Sequence, residues 1–213
     1  MATLSPYQSQ NGSSFNPAKI GDPKALETGW SLIRSTDLLG GFKLYDSGPN
    51  RYEYRPSRLI LIFYLLFVAF GLGAVGIGIH YYLLTNTLEV ISLVPVIIGA
   101  GFVLMGGYSF QRGTRPVVFD KSIGAYWRGR TTPVMYAPNP GLKEYCKLDD
   151  IRALQLIGEL VRMKNQNIYV YELNLVLKDS NRLNVITHYK PEQLRQDANT
   201  LSGFLGKPVW SGI

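Results

Sequence analysis

Two long apolar stretches, residues 59–84 and 88–108, constrain the fold of this 213-residue chain more than any other feature. The first contains no Lys, Arg, Asp or Glu, and the second has only Glu89, close to its beginning. A helix of about 20 residues crosses a hydrocarbon core of about 30 Å, and a spanning segment must satisfy its backbone polar groups internally. Because only residues 85–87 separate the two stretches, we predict a transmembrane helical hairpin.

The basic residues beside this hairpin predict its orientation. Arg51, Arg55 and Arg58 precede the first stretch, Arg112 and Arg115 follow the second, and the turn between the stretches contains no Lys or Arg. The positive-inside rule therefore predicts that both termini are cytoplasmic and that the turn is outside. We expect a multi-pass protein of the cell's inner (plasma) membrane.

The formal net charge of +7 is explained largely by these flanks, which attract anionic lipid headgroups. A nucleic-acid partner would need a basic surface away from the membrane, and the sequence shows none. The expected partners are the lipid bilayer and either another protein or further copies of the chain. No cofactor and no small-molecule substrate is indicated.

Outside the hairpin, the chain divides into a tail and two cytoplasmic pieces. Residues 1–21 are predicted to be a disordered tail, because they are rich in polar residues and lack the apolar core of a signal peptide. Residues 22–57 form a cytoplasmic segment in which Trp30 is predicted to pack on the fold or to lie at the membrane interface. The membrane hairpin occupies residues 58–110, and a β-rich domain occupies residues 111–213.

Alternating residues around turns predict two β-hairpins beside the helices. Strands at residues 42–46 and 51–55 flank a Ser-Gly-Pro-Asn turn, which is typical of a β-hairpin. Strands at 116–120 and 125–128 flank a turn in which Gly124 can take the positive φ that such turns require.

The remaining segments predict further strands and a final helix. Residues 131–145 are rich in proline and are expected to form a loop. Residues 149–162 fit a helix or a strand, and we favour a strand because Gly158 weakens a helix. Two further strands and an amphipathic helix follow, at residues 168–178, 182–188 and 191–205.

This order of elements resembles the pleckstrin-homology (PH) fold, as in bacterial membrane-anchored PH-like proteins of unknown function. The stretches that carry the resemblance are residues 42–55, 117–128, 169–188 and 191–205. It implies a membrane α+β protein in which a two-helix transmembrane hairpin is inserted into a cytoplasmic antiparallel β (PH-like) domain with a C-terminal helix. The split is physically reasonable, because both ends of a helical hairpin emerge on one membrane face and the strands that they carry can pair.

The resemblance also suggests where headgroups would bind. PH domains that bind phosphoinositides use basic residues on the first two strands, but here Glu53 interrupts the basic-x-basic pair, so inositide recognition is not predicted. Attraction of the basic flanks to anionic lipid is the preferred interpretation. The possible headgroup contacts are Lys43, Arg51, Arg55, Arg58, Arg112 and Arg115.

Small residues in the apolar stretches predict close helix packing. The series Gly71-x-Gly73-x-x-Gly76 matches the dinucleotide-binding fingerprint, but it lies in an apolar stretch with no βαβ unit around it, so the match is false. Small residues at four-residue spacing let helices approach closely, here within the hairpin or against another subunit. The predicted helix-packing residues are Ala69, Gly73, Ala74, Gly78, Gly99 and Gly101.

The residues that could carry chemistry are few. His80 lies near the outer end of the first stretch, where it can reach water, so an interfacial position is favoured over a proton-relay role. Two histidines and the single Cys146, far apart in sequence, do not supply an ordinary metal site. The lone cysteine excludes an internal disulfide. A Cys146–His188 nucleophilic pair has no supporting feature, and a structural role for His188 is favoured.

Together these features favour a non-catalytic scaffold, adaptor or accessory subunit that presents a cytoplasmic PH-like domain at the inner membrane. Two alternatives from other classes stay open. One is an immunity-type membrane protein that binds a toxin, and the other is a small channel or transporter subunit that acts as an oligomer. An enzyme is the poorest fit, because no catalytic, cofactor-binding or metal-binding set of residues emerges.

Overall fold

A computed structural model describes residues 15–33, 41–133, 144–163 and 166–213. The chain divides into two compact units. One is Arg55–Pro116, and the other combines Met1–Tyr54 with Val117–Ile213. The second unit is therefore interrupted by the first in sequence.

The first described residues, 15–27, contain two short helices. A 3-10 helix at Pro17–Ile20 is followed by α1 at Pro23–Glu27, where the Asp22 carboxylate accepts a hydrogen bond from the Lys24 backbone N–H at 3.1 Å. The expectation of a disordered tail through residue 21 therefore needs revision for residues 15–21. Phe15 packs on Trp30 with ring centroids 4.4 Å apart, and this contact gives an otherwise polar segment a place to dock. Residues 1–14 of the predicted tail lie outside the described residues.

The first sheet brings together strands from both sides of the apolar segment. Strand β2 pairs antiparallel with β3, with Arg51 opposite Asp120 and Tyr54 opposite Val117. The strand order is β1-β2-β3-β4-β5. The strands are β1 at Phe42–Asp46, β2 at Arg51–Pro56, β3 at Val117–Asp120, β4 at Ala125–Arg128 and β5 at Tyr145–Lys147.

The second sheet follows in the C-terminal part of the chain, in the order β8-β7-β6-β9. Strands β6 to β8 are antiparallel, while β9 runs parallel to β6. The strands are β6 at Ile151–Met163, β7 at Gln166–Leu177, β8 at Arg182–His188 and β9 at Val209–Ser211. Residues 149–162 thus form mainly a strand, as favoured from the sequence. Gly158 packs against the Tyr171 ring, since a Cβ at this glycine would lie 2.7 Å from ring atoms.

Two strands in the described residues were not predicted. Strand β5 lies at the end of the expected proline-rich loop, and β9 follows the last helix. Each has only three residues, which is too short to show an alternating pattern. They form because a neighbouring strand offers an open edge, and this information is absent from the local sequence.

The main apolar cluster of this β unit includes residues from both sheets. Phe119 and Tyr126 of the first sheet and Leu154 and Leu173 of the second belong to one buried cluster. The last helix, α4 at Pro191–Leu205, adds its predicted stripe of Leu194, Ala198 and Leu201 to the same cluster. Full burial of one such leucine stabilises the fold by about 1.5–3 kcal/mol.

Arg128 ties the two sheets together. Its guanidinium donates to the backbone carbonyls of Asn184 and Val185 at 3.0 and 2.9 Å and forms an ion pair with Glu144. Arg128 ends β4, whereas the two carbonyls belong to β8, the edge strand of the second sheet. The Tyr126 hydroxyl donates to the same Asn184 carbonyl at 3.3 Å. These contacts provide hydrogen-bond donors to the backbone carbonyls of β8, an edge strand that, among the described strands, has a neighbouring strand on one side only.

His188 supports the beginning of α4 in its neutral form. Its Nδ1 accepts a hydrogen bond from the Lys190 backbone N–H at 2.9 Å. Burial, and secondly the charge of Lys190, lower the pKa of His188 from 6.5. Protonation of Nδ1 would remove the acceptor, so the folded state binds this proton more weakly than the unfolded state.

We therefore expect the contribution of His188 to stability to be complete above pH 6.5 and to be lost as the pH falls through the folded pKa. The measurement is the pH dependence of the unfolding free energy for the wild type and for His188→Gln, because the difference isolates this group from the carboxylates. Half-burial limits the expected difference to about 1 kcal/mol or less. Parallel pH profiles for the two proteins would contradict the expectation.

The interrupting unit is a helical hairpin. Helix α2 spans Arg58–Thr85 and helix α3 spans Val90–Gly113. Asn86 closes α2 in the left-handed conformation, at φ 51°, which Asn tolerates better than most residues. Both helices are long and apolar enough to cross a membrane, by length and composition. The predicted pair of long apolar helices, the antiparallel sheets and the C-terminal helix are thus confirmed.

Candidate functional sites on the hairpin and the second sheet

The two helices of the hairpin meet along small residues spaced seven apart. A Cβ added at Gly71 would lie 2.7 Å from the Gly99 carbonyl oxygen, and one at Gly78 would lie 2.5 Å from that of Ser92. Neither distance is possible for a real side chain without movement of the backbone. The helices therefore approach closely at these positions, as small residues permit. The buried residues of the contact are Tyr64, Gly71 and Gly78 of α2 and Ser92, Gly99 and Gly106 of α3.

Only part of the predicted packing set lies at this contact. Gly78 and Gly99 are in it, but a Cβ at Gly73 or Gly101 would meet nothing within 4 Å. Ala69 is exposed and Ala74 is half-buried. The four-residue spacing used for the prediction selected a mixture of faces, whereas the observed contact follows a spacing of seven. That spacing is typical of helices that cross at a shallow angle.

One end of the hairpin carries the basic residues. Because the helices are antiparallel and their connection is short, the beginning of α2 and the end of α3 lie at the same end of this unit. Arg58 and Arg112 mark that end, and both are exposed. The Arg112 guanidinium lies 5.1 Å from the Tyr108 ring centroid. Arg55 and Arg115, also exposed, flank the two helices, so four guanidinium groups precede or follow the apolar segment.

Arg51 has a structural role that the sequence did not predict. Its guanidinium forms ion pairs with Glu53 and, at 3.3 Å, with Asp120 on the neighbouring β3. It also lies over the Trp127 ring, 5.6 Å from the centroid. Of the predicted headgroup contacts, Arg51 therefore pairs with carboxylates of the sheet, and Lys43 is exposed on β1. The sequence near Arg51 indicated only Glu53 as a neighbouring carboxylate. Asp120 comes close because β2 pairs with β3.

The second sheet has a polar face that is buried. Strands β6 to β8 place residues of the main core on one face, and the opposite face includes several polar residues. Gln155, Glu172 and Asn174 are completely inaccessible to solvent. Buried polar groups need hydrogen-bond partners to be tolerated. We call this surface the polar face, and it comprises Gln155, Glu159, Glu172, Asn174, Arg182 and Asn184.

The polar face is occupied by residues 29–33, which we call the strap. Side chains of the face bind backbone groups of the strap, as four hydrogen bonds show. The Ile33 N–H donates to Glu172 at 2.8 Å, and the Leu32 N–H donates to Glu159 at 3.2 Å. Gln155 donates to the Gly29 carbonyl at 2.9 Å, and Arg182 donates to the Ser31 carbonyl at 2.8 Å.

A chain of side-chain contacts connects these anchors. Asn174 donates to Glu172 at 3.2 Å, and Asn184 donates to Asn174 at 3.1 Å. Burial raises the pKa of Glu159, while the Leu32 N–H and the charge of Arg182 oppose that rise. Burial likewise lowers the pKa of Arg182, and the carboxylates of Glu172 and Glu159 act against this. The charge of Arg182 thus favours the ionised form of Glu159, and the two carboxylates favour the charged form of Arg182.

One aromatic side chain anchors the strap. Trp30 stacks near Trp210 of β9, with ring centroids 6.5 Å apart, and its indole N–H donates to the Ala25 carbonyl at 2.8 Å. It packs against a small buried cluster that includes Ala153 and Val176. Trp30 is therefore a packing residue, one of the two roles expected from the sequence. The remaining strap contacts involve backbone atoms, which periodicity of side chains does not reveal.

Cys146 and His188, which were considered for nucleophilic or metal chemistry, lie in structural positions. Cys146 is buried on β5, and burial, with the charge of Asp150, raises the pKa of its thiol to about 12. Such a thiol is protonated at neutral pH and is a poor nucleophile. Within the described residues, no group of three or more His, Cys, Asp or Glu side chains could hold a metal ion. His188 serves α4 as described above.

Comparisons with known proteins add no family. No protein-family model matches the chain, and a search of curated proteins finds no match.

Proposed function

We propose that this protein is a non-catalytic integral membrane protein that presents a PH-like β domain at the cytoplasmic face of the inner membrane, as a scaffold, adaptor or accessory subunit. One observation carries the proposal. Strands β2 and β3 are neighbours in one sheet although the chain between them forms two long apolar helices. An inserted hairpin of this kind anchors a domain through two covalent connections.

The surface of the hairpin supports insertion into a bilayer. Large apolar side chains point away from the helix contact along its whole length, and in water they would form an unusually large exposed apolar surface. The exposed fractions of Leu59, Ile77 and Leu104 are 77%, 67% and 74%. Their exposure is tolerated if lipid covers them. The four arginines at one end of the hairpin fit the phosphates of anionic headgroups, to which guanidinium groups bind well.

The topology of the β unit supports a PH-like domain. Four antiparallel strands, three further antiparallel strands and a closing helix occur in the order that the resemblance implies. The helix α4 places its apolar stripe in the core between the sheets. Strands β5 and β9 are additions to that plan. Since PH-like folds host many functions, the fold itself suggests only a binding module.

The non-catalytic character is supported by the chemistry of the described residues. Their buried carboxylates bind the strap or arginine side chains, and their cysteine is protonated. A protein of this kind functions by holding its domain at the membrane, where a face or an edge of a sheet binds a partner.

The proposal is tested by washing membranes at high pH and then extracting the tagged protein gently. We expect the protein to stay in the membrane through the wash and to co-purify with one partner in fixed proportion. Release by the wash would contradict membrane insertion. If the protein is purified only with copies of itself, the adaptor role fails and the oligomeric channel or transporter subunit becomes the preferred function. The outward-facing Gly73 and Gly101 would then be the first positions to substitute.

A further inference from the structure

The strap occupies the polar face in the manner of a bound peptide. Its residues do not belong to a strand, and within the described chain its hydrogen bonds to the face run between side chains of the sheet and backbone atoms of the strap. Ser31 and Ile33 are exposed, so these side chains contribute little to the contact. A surface that binds backbone groups accepts many sequences.

We propose that the polar face of the second sheet is a binding site for a peptide segment of a partner protein that lacks regular secondary structure, and that residues 29–33 are its internal occupant. The chemistry of the site defines the ligand. Two adjacent backbone N–H groups meet the carboxylates of Glu159 and Glu172, and two carbonyls meet Gln155 and Arg182. An aromatic residue beside the first carbonyl packs near Trp210. The partner segment thus resembles the strap in lacking regular secondary structure, carries an aromatic side chain and lacks proline at the two donor positions, since proline has no N–H.

The face is suited to exchange between two occupants. Without an occupant, Glu159, Glu172 and Arg182 would be open to water, so the polar face would not collapse as an apolar groove would. Among the described residues, one aromatic side chain and four hydrogen bonds to side chains of the polar face hold the strap, and it has no strand ladder. Local opening of such a segment costs less than global unfolding. The strap is part of the same chain as the polar face, so it competes with a partner peptide at a high effective concentration, about millimolar for a short linker. Only a peptide that binds tightly enough can therefore displace it.

This inference deepens the proposed adaptor function, because it names the class of partner. It depends on the β unit and not on the orientation of the hairpin. Its failure would leave membrane insertion intact, and a failure of membrane insertion would leave peptide binding measurable.

The test uses the full chain in detergent micelles and a synthetic peptide of residues 22–33 as the probe. In the variant Trp30→Ala, which loosens the strap, we expect saturable peptide binding by calorimetry. The wild type, whose strap is intact, should bind the same peptide at least about tenfold more weakly. Tyr145→Ala removes an exposed aromatic side chain of the first sheet and should behave as the wild type.

Backbone recognition is tested by changes in the peptide. Methylation of the Ile33 backbone nitrogen removes the donor to Glu172 and should weaken binding by about tenfold or more, as expected for a hydrogen bond to a charged group. The peptide change Ile33→Ala keeps the donor and should alter binding by about twofold or less. Equal binding of the methylated and unmodified peptides would overturn the proposal, as would absence of binding to a folded Trp30→Ala protein.

Hydrogen exchange in the wild type keeps the proposal falsifiable if Trp30→Ala does not fold. We expect the amide protons of Leu32 and Ile33 to exchange through a local opening, faster than those of Leu173 and Leu175 in the centre of β7. If all four exchange only with global unfolding, the strap never leaves the face and the inference is wrong.

Discussion

Gly99→Ala is expected to destabilise the helical hairpin by about 1–3 kcal/mol, the usual cost of forcing an extra group into a packed contact. The added Cβ would press on the Gly71 carbonyl oxygen and on Val75 at 2.9 Å. Backbone atoms cannot rotate away as a flexible side chain can, so the helices must separate and lose contacts on both sides. The measurement is the unfolding free energy in mixed micelles as the fraction of denaturing detergent rises.

Gly101→Ala is the matched control. It makes the same chemical change two positions along α3, where an added Cβ meets nothing within 4 Å. We expect this variant to be as stable as the wild type or slightly more stable, because alanine favours a helix over glycine by about 1 kcal/mol. Equal losses in the two variants would show that α2 and α3 do not pack through the residues spaced seven apart.

Arg128→Met is expected to destabilise the β unit by about 3 kcal/mol. The substitution removes two hydrogen bonds to the carbonyls of β8 and leaves Glu144, whose side chain is 19% exposed, without this guanidinium. Loss of one partner of a largely buried ion pair costs more than the pair itself contributes. The measurement is chemical unfolding followed by tryptophan fluorescence, since Trp127 is adjacent to Arg128 in the chain.

Two further variants separate the causes. Lys147→Met removes an exposed charge from β5 and should change stability by no more than about 0.5 kcal/mol. Adding Glu144→Gln to Arg128→Met should recover part of the loss, because the carboxylate that faced the guanidinium disappears. If Arg128→Met is as stable as the Lys147 control, Arg128 does not join the two sheets.

The sequence predicted the elements with strong periodicity. The apolar helices, the strand at residues 168–178 and the stripe of α4 each repeat one pattern over many residues, so burial of one face determines their conformation. The strand at residues 149–162 was harder to predict because its apolar positions fit both the period of a helix and the period of a strand. It was decided by tertiary structure, in which Gly158 makes room for Tyr171.

Contacts between distant segments could not be predicted in the same way. One partner of Arg51 is Asp120, which comes close only when β2 and β3 pair across the helical insertion. Strands β5 and β9 depend on edges that other strands provide. The small residues of α3 illustrate a third limit, because the sequence contains several glycine spacings and only the packed hairpin shows which spacing is used.

The strap was the least predictable feature. Trp30 was recognised as a residue that packs, but the hydrogen bonds of Leu32 and Ile33 use backbone N–H groups, which every residue except proline offers. In β7, Glu172 and Asn174 are completely buried, and Glu172 accepts a hydrogen bond from the Ile33 N–H, 139 positions earlier in the chain.

The measurement that tests the central claim most directly is the sidedness of single cysteines in intact cells. In a Cys146→Ala background, Thr87→Cys places a thiol in the turn of the hairpin and Lys178→Cys places one on the β unit, and both positions are exposed. We expect a membrane-impermeant maleimide to label Thr87→Cys in intact cells and to label Lys178→Cys only after permeabilisation. Labelling of both positions from outside, or of Lys178→Cys alone, would contradict a cytoplasmic β domain anchored by an inserted membrane hairpin.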